Sequence, residues 1–114
     1  MSNDNRDKDH ELLKHHVESI AHSLTYSDEE ELNKDGEPYT AMDYVSEALD
    51  IEYYIGSDGE YRGARLLVTF GGPNIWVDVK TNRVEGPCWG ESYSCTFYDS
   101  MDLNSTCREL WECR

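Results

Sequence analysis

The sequence predicts an α+β domain in which an antiparallel sheet of about four strands, a β-meander, is packed by N-terminal and C-terminal helices. Three observations predict it. Apolar residues recur at helical spacing early in the chain; between residues 51 and 98 the period falls to two, with short turns bearing Gly, Pro and Asn; and helical spacing returns near the end. The 114 residues, 38% hydrophobic and 11% aromatic, suffice for one core. Residues 1–114 are therefore read as a single domain, with 1–8 as a frayed lead-in.

From about Asp9 to Leu24, the residues Leu13, Val17, Ile20 and Leu24 form one apolar stripe, with Asp9 placed to cap the helix. The acid run, Gly36 and Pro38 that follow read as a loop. Thr40 and Asp43 have the spacing of a capping box, and Met42, Val45 and Leu49 extend a short helix to about Asp50. Ile51, Tyr53 and Ile55 then alternate with polar or aromatic neighbours, and Gly56-Ser57-Asp58-Gly59 turns the chain into Arg65 to Phe70, where Leu66, Val68 and Phe70 share a face. Gly71-Gly72-Pro73-Asn74 reverses it into Ile75, Val77 and Val79, a strand closed by Lys80-Thr81-Asn82-Arg83. Gly86-Pro87 punctuates the way to a last strand near Trp89 to Tyr98. Leu103, Cys107 and Leu110 at i, i+4 and i+7 predict a helix over 100–112, packed on the sheet with Trp111.

Charge is the most unusual property. Against 10 Lys and Arg stand 24 Asp and Glu, a formal net charge of -14, with a mean hydropathy of -0.77. Direct binding to nucleic acid or to an anionic membrane is excluded by that field. The excess is one-sided: residues 1–60 hold 17 acids and 4 bases, whereas residues 61–114 hold 7 and 6. Between Asp28 and Glu60, twelve acids are relieved only by Lys34. Solubility needs a modest net charge, not this density, so the acids Asp28, Glu29, Glu30, Glu31, Glu37, Asp43, Glu47 and Asp50 are candidate contacts for a cationic partner. No run of about 18 apolar residues exists, and the polar start from Met1 to Asp9 lacks the pattern of a secretory signal. A cytoplasmic protein with reduced thiols is expected.

Two groups are candidates for zinc. Glu11, His15, Glu18 and His22 fall within about 60° of helix circumference opposite the apolar stripe, and imidazole and carboxylate both bind zinc. Cys88, Cys95, Cys107 and Cys113 are separated by six, eleven and five residues; this is no zinc-knuckle spacing, yet two thiols near the last strand and two on the last helix can converge. As buried small hydrophobes they need no metal. Glu31-Leu32-Asn33-Lys34-Asp35-Gly36 imitates the start of a calcium loop, but Met42 stands where its bidentate Glu belongs. Nucleophile elbow, Walker loop and dinucleotide fingerprint are all missing, and no catalytic activity is expected. Among the aromatics, alternation turns Tyr54, Trp76 and Tyr98 away from the side of Leu66; if that sheet face is open, Trp76 is a candidate protein contact.

The stretch Thr69-Phe70-Gly71-Gly72-Pro73-Asn74-Ile75-Trp76-Val77-Asp78-Val79, with Val84-Glu85-Gly86 and Glu109-Leu110-Trp111-Glu112-Cys113, resembles small proteins of phages and prophages. Size and concentrated acidity are similar to those of phage anti-CRISPR and anti-restriction proteins. The resemblance implies an inhibitor that binds a basic surface of a CRISPR effector such as Cas9, in the host cytoplasm, and blocks nucleic-acid loading. The alternative is a small zinc-binding or aromatic-patch protein-interaction adaptor.

Overall fold

The helical spacing at the front of the chain becomes α1 (Ser2–Thr25), whose residues Leu13, Val17, Ala21 and Leu24 are buried while Ile20 is half-buried. The computed structural model describes residues 2–70, 74–88 and 91–114. In it α1 begins seven residues ahead of Asp9, which lies within the helix and does not cap it.

After a loop, α2 (Ala41–Glu47) starts as the sequence predicts, with the capping box of Thr40 and Asp43 present in both directions. Its end differs. Only Val45 of the predicted stripe is buried; Met42 and Leu49 are 40% and 60% exposed. By Leu49 the backbone has left the helix, donating its N–H to the Leu67 carbonyl at 2.8 Å.

Five strands follow, β1 (Asp50–Ile55), β2 (Tyr61–Thr69), β3 (Ile75–Asp78), β4 (Arg83–Cys88) and β5 (Glu91–Thr96). They pair in sequence order, each antiparallel to the next. The meander is as predicted, with one strand more. That strand is β4, which the Gly86-Pro87 pair disguises as a turn. Gly86 is instead where α1 crosses the sheet: a Cβ there would lie 2.7 Å from Leu13 Cδ1 and 3.4 Å from Val17 Cγ2. The missing side chain is the space that lets helix and strand touch.

Pleating separates two faces. Ile51, Leu66, Val77, Val84 and Cys95 align across all five strands, and the middle three of that row are wholly buried. The helices cover this side, with α1 on Gly86 and Trp111 of α3 (Leu103–Glu112) 5.3 Å from the Tyr53 ring. Residues Asp50, Leu67, Trp76, Glu85 and Ser94 align on the opposite face. A register shift between Leu67 and Thr69 ends the predicted alternation of β2, so Val68 is half-buried and Phe70 is 73% exposed.

α3 starts later than residue 100 because two carboxylates intervene. Asp99 accepts from the backbone N–H groups of Leu103 (2.8 Å) and Asn104 (3.1 Å), and Asp102, in a left-handed conformation, accepts from Ser105. Leu103 and Cys107 are buried and Leu110 half-buried, the stripe the spacing predicts. Trp89, predicted in the last strand, and the Gly71-Gly72-Pro73 turn lie outside the described residues. Among the described residues no helix is long and apolar enough to cross a membrane.

Candidate functional site

The acid-rich segment between α1 and α2 is folded back on itself. Leu32 bridges Pro38, Asn33 N–H donates to the Glu37 carbonyl at 2.8 Å, and Tyr39 N–H donates to the Glu31 carbonyl at 2.8 Å. Asn33 is the hub. Its Oδ1 accepts from the backbone N–H of Asp35 (2.9 Å) and Glu37 (3.1 Å), and its Nδ2 reaches the Asp43 carboxylate at 3.3 Å. Gly36 takes the positive φ of 81° that closes the turn. This is the stretch that imitates a calcium loop; here the Asn33 oxygen serves backbone donors.

On this platform Asp28, Glu29, Glu30, Glu31 and Glu37 are exposed. Asp28 Oδ1 accepts from the Glu30 backbone N–H at 2.9 Å, and the other three predicted acids are likewise tied into local structure. Asp43 accepts from the Thr40 backbone N–H at 2.8 Å, and that bond, ahead of those from the Thr40 hydroxyl and Asn33, holds its carboxyl below the usual range. Glu47 accepts from the Tyr39 hydroxyl at 2.7 Å; burial first, and this bond second, push that phenol well above its ordinary value. Asp50 accepts from the Ile51 N–H and opens β1. Among the described residues the ion pairs are Arg62 with Asp58 and Arg65 with Glu52, both on the β1–β2 hairpin. None neutralises an acid between residues 28 and 50.

Beside the platform lies a surface cavity of about 330 Å³, with His22, Tyr26, Tyr39, Tyr44, Asp28 and Glu31 among its lining residues. His22 in the last turn of α1 and Tyr26 just past its end have rings 4.8 Å apart; the loop and α2 supply the rest. Ser100 donates to the Leu24 carbonyl at 2.6 Å and Tyr98 N–H to Thr25 Oγ1 at 3.0 Å, which fixes the approach to α3 against the end of α1. Burial, then Glu47, pushes the Tyr44 phenol up to about 12. Sequence reasoning missed this cavity, because its aromatics come from three separate elements. The one local signal is His22 and Tyr26 at i, i+4 on a helix end.

Trp76 and Tyr54 occupy the helix-free sheet face, as alternation predicts. Tyr98 is exposed but lies beyond β5. Trp76 is half-buried, and the Arg65 guanidinium sits 3.9 Å from its ring centroid while also bonded to Glu52 at 2.7 Å. Tyr54 donates to Asp78 Oδ2 at 2.7 Å. That phenol is pushed up to about 12, by burial and then by Asp78. The indole is thus already covered by a cation, and the face is a satisfied polar network more than an apolar patch. Asp50 and Trp76 flank Leu67 in one cross-strand row.

Glu11, His15, Glu18 and His22 are all exposed on α1, as the wheel predicts. Glu18 accepts from Tyr93 at 2.6 Å and His22 packs on Tyr26. Of the cysteines, Cys95 is half-buried on β5, Cys107 buried on α3 and Cys113 exposed at its end, all free; the Cys88 side chain lies outside the described residues. Among the described residues no three His, Cys, Asp or Glu side chains group so as to hold a metal. Burial pushes the Cys107 thiol up to about 11, which suits a core residue and not a nucleophile.

Fold and site together define an acidic antiparallel α+β domain with a hydrogen-bonded carboxylate platform. No family model matches this chain, and no curated protein or solved structure is found to be similar to it.

Proposed function

We propose that this protein is a non-catalytic inhibitor of the anti-CRISPR type, which lays its acidic platform on a basic surface of a nucleic-acid-handling effector such as Cas9 and blocks nucleic-acid loading in the cytoplasm. The observation that carries the reading is the cluster of exposed carboxylates Asp28, Glu29, Glu30, Glu31 and Glu37 on a hydrogen-bonded loop, with no ion pair to any of them among the described residues. Self-repulsion of this kind costs stability, and a cationic partner would relieve it. Duplex DNA presents one charge per about 1.7 Å of axis; a rigid run of adjacent carboxylates offers Lys and Arg side chains a comparable density. Such an encounter is fast and weakens with salt.

The test is DNA cleavage by a purified Cas9-type effector, with the protein added before or after guide RNA. Inhibition is expected when it is added first, and is expected to be lost in the triple variant Glu29→Lys, Glu30→Lys, Glu37→Lys. Asp43 and Glu47 are left unchanged because they hold α2 and Tyr39 in place. Undiminished inhibition by the triple variant would take the acidic platform out of the mechanism. Loss of inhibition in Trp76→Ala alone would transfer the contact to the sheet and favour the adaptor reading.

A further inference from the structure

The cavity beside the platform has a composition that selects its occupant. Four aromatic residues, His22, Tyr26, Tyr39 and Tyr44, line it together with the acids Asp28 and Glu31, and no Lys or Arg of the described residues contributes to it. An anion would meet two carboxylates and the strongly negative field of this half of the chain. A neutral apolar ligand would strip water from those carboxylates without replacing it. A cation satisfies both sets of groups at once: the ring faces attract positive charge and the carboxylates accept its donors. At about 330 Å³ the space is at the small end of ligand sites and has room for one long side chain.

We infer that this cavity is the anchor of the acidic face and receives one arginine side chain of the protein partner, its guanidinium against the tyrosine rings and bonded to Glu31 and Asp28. Arginine is favoured over lysine because a planar guanidinium stacks on aromatic rings and bonds carboxylates at its edge. Tyr26, 71% exposed at the end of α1, is the ring a partner meets first. The inference rests on the proposed function and adds to it: the platform supplies the long-range field, and the cavity supplies one central, desolvated contact of the kind that dominates interface energetics.

The test uses a capped tripeptide with arginine at its centre and the same peptide carrying citrulline, which keeps the shape and removes the charge. Backbone NMR shifts are followed in the intact protein and in two variants at exposed positions, Tyr26→Ala and Glu31→Gln. Saturable shifts confined to the residues around the cavity, absent with citrulline and weakened roughly tenfold in both variants, are the expected result. Equal response to both peptides, or shifts spread over the platform and unaltered in Tyr26→Ala, would overturn the inference. The two claims fail separately. If the arginine peptide does not bind while effector inhibition still requires Glu29, Glu30 and Glu37, the cavity is wrong and the platform stands. If the peptide binds but no effector is inhibited, the cavity stands without that function.

Discussion

Gly86 and Cys107 show how single residues carry the packing. A side chain at Gly86 must enter the contact between α1 and β4, where Leu13 Cδ1 is 2.7 Å from the place of its Cβ. Gly86→Val should destabilise the fold by about 1–3 kcal/mol through overpacking, as read by urea denaturation. The same residue explains a misreading. Beside Pro87, a glycine spells a turn in the local sequence, and the helix that requires it lies about seventy residues earlier. Cys107 makes a second prediction. Its thiol is raised from 9.0 to about 11 by burial and then by Asp99, so between those values the unfolded chain has lost the proton that the folded chain keeps. Stability should therefore fall as pH rises from about 9 to about 11, and Cys107→Ala should remove the fall below about pH 10 and make it shallower above, where the raised phenols of Tyr44 and Tyr54 also contribute. Alkylation of the native protein at about pH 8 should modify Cys113 and spare Cys107 until denaturant is added.

At the scale of elements, the start of α2 was legible and its end was not, whereas for α1 and α3 the ends were legible and the starts lay elsewhere. The capping box announces the start of α2, since Thr40 and Asp43 satisfy each other's backbone N–H. Thr40→Ala should cost about 1 kcal/mol of stability. The end of α2 is set by the pull of Leu49 into a bond with β2, a contact that local spacing does not encode. Alternation correctly divided Leu66 from Trp76 and Tyr54, because pleating alone fixes which side a residue faces. It failed at Phe70, past the irregularity after Leu67. The acidic platform was legible as composition only. Its shape depends on Asn33, whose bonds to Asp35, Glu37 and Asp43 join parts of the loop to α2. Because Glu29, Glu30 and Glu37 are exposed and none of their side chains has a described bond, reversing them to Lys should leave the thermal midpoint unchanged or raise it at low salt. Asp43→Lys should lower it by breaking the capping box of α2 and the bond to Asn33.

The whole molecule is electrically lopsided: of its net -14, nearly all resides in residues 1–60. The two described ion pairs join Arg62 and Arg65 to Asp58 and Glu52 on the β1–β2 hairpin, so the excess that they leave uncompensated falls on the acidic segment between α1 and α2. The cavity among the end of α1, that segment and α2 gives the negative face a recess. The most direct test is the equilibrium affinity of the intact protein and of the Glu29→Lys, Glu30→Lys, Glu37→Lys variant for a guide-free Cas9-type effector, at about 50 mM and about 500 mM salt. The account predicts tight binding of the parent at low salt, roughly tenfold or greater weakening at high salt, and a variant that is weak in both. Equal affinity of parent and variant at both salt concentrations, or no binding by the parent, would contradict it.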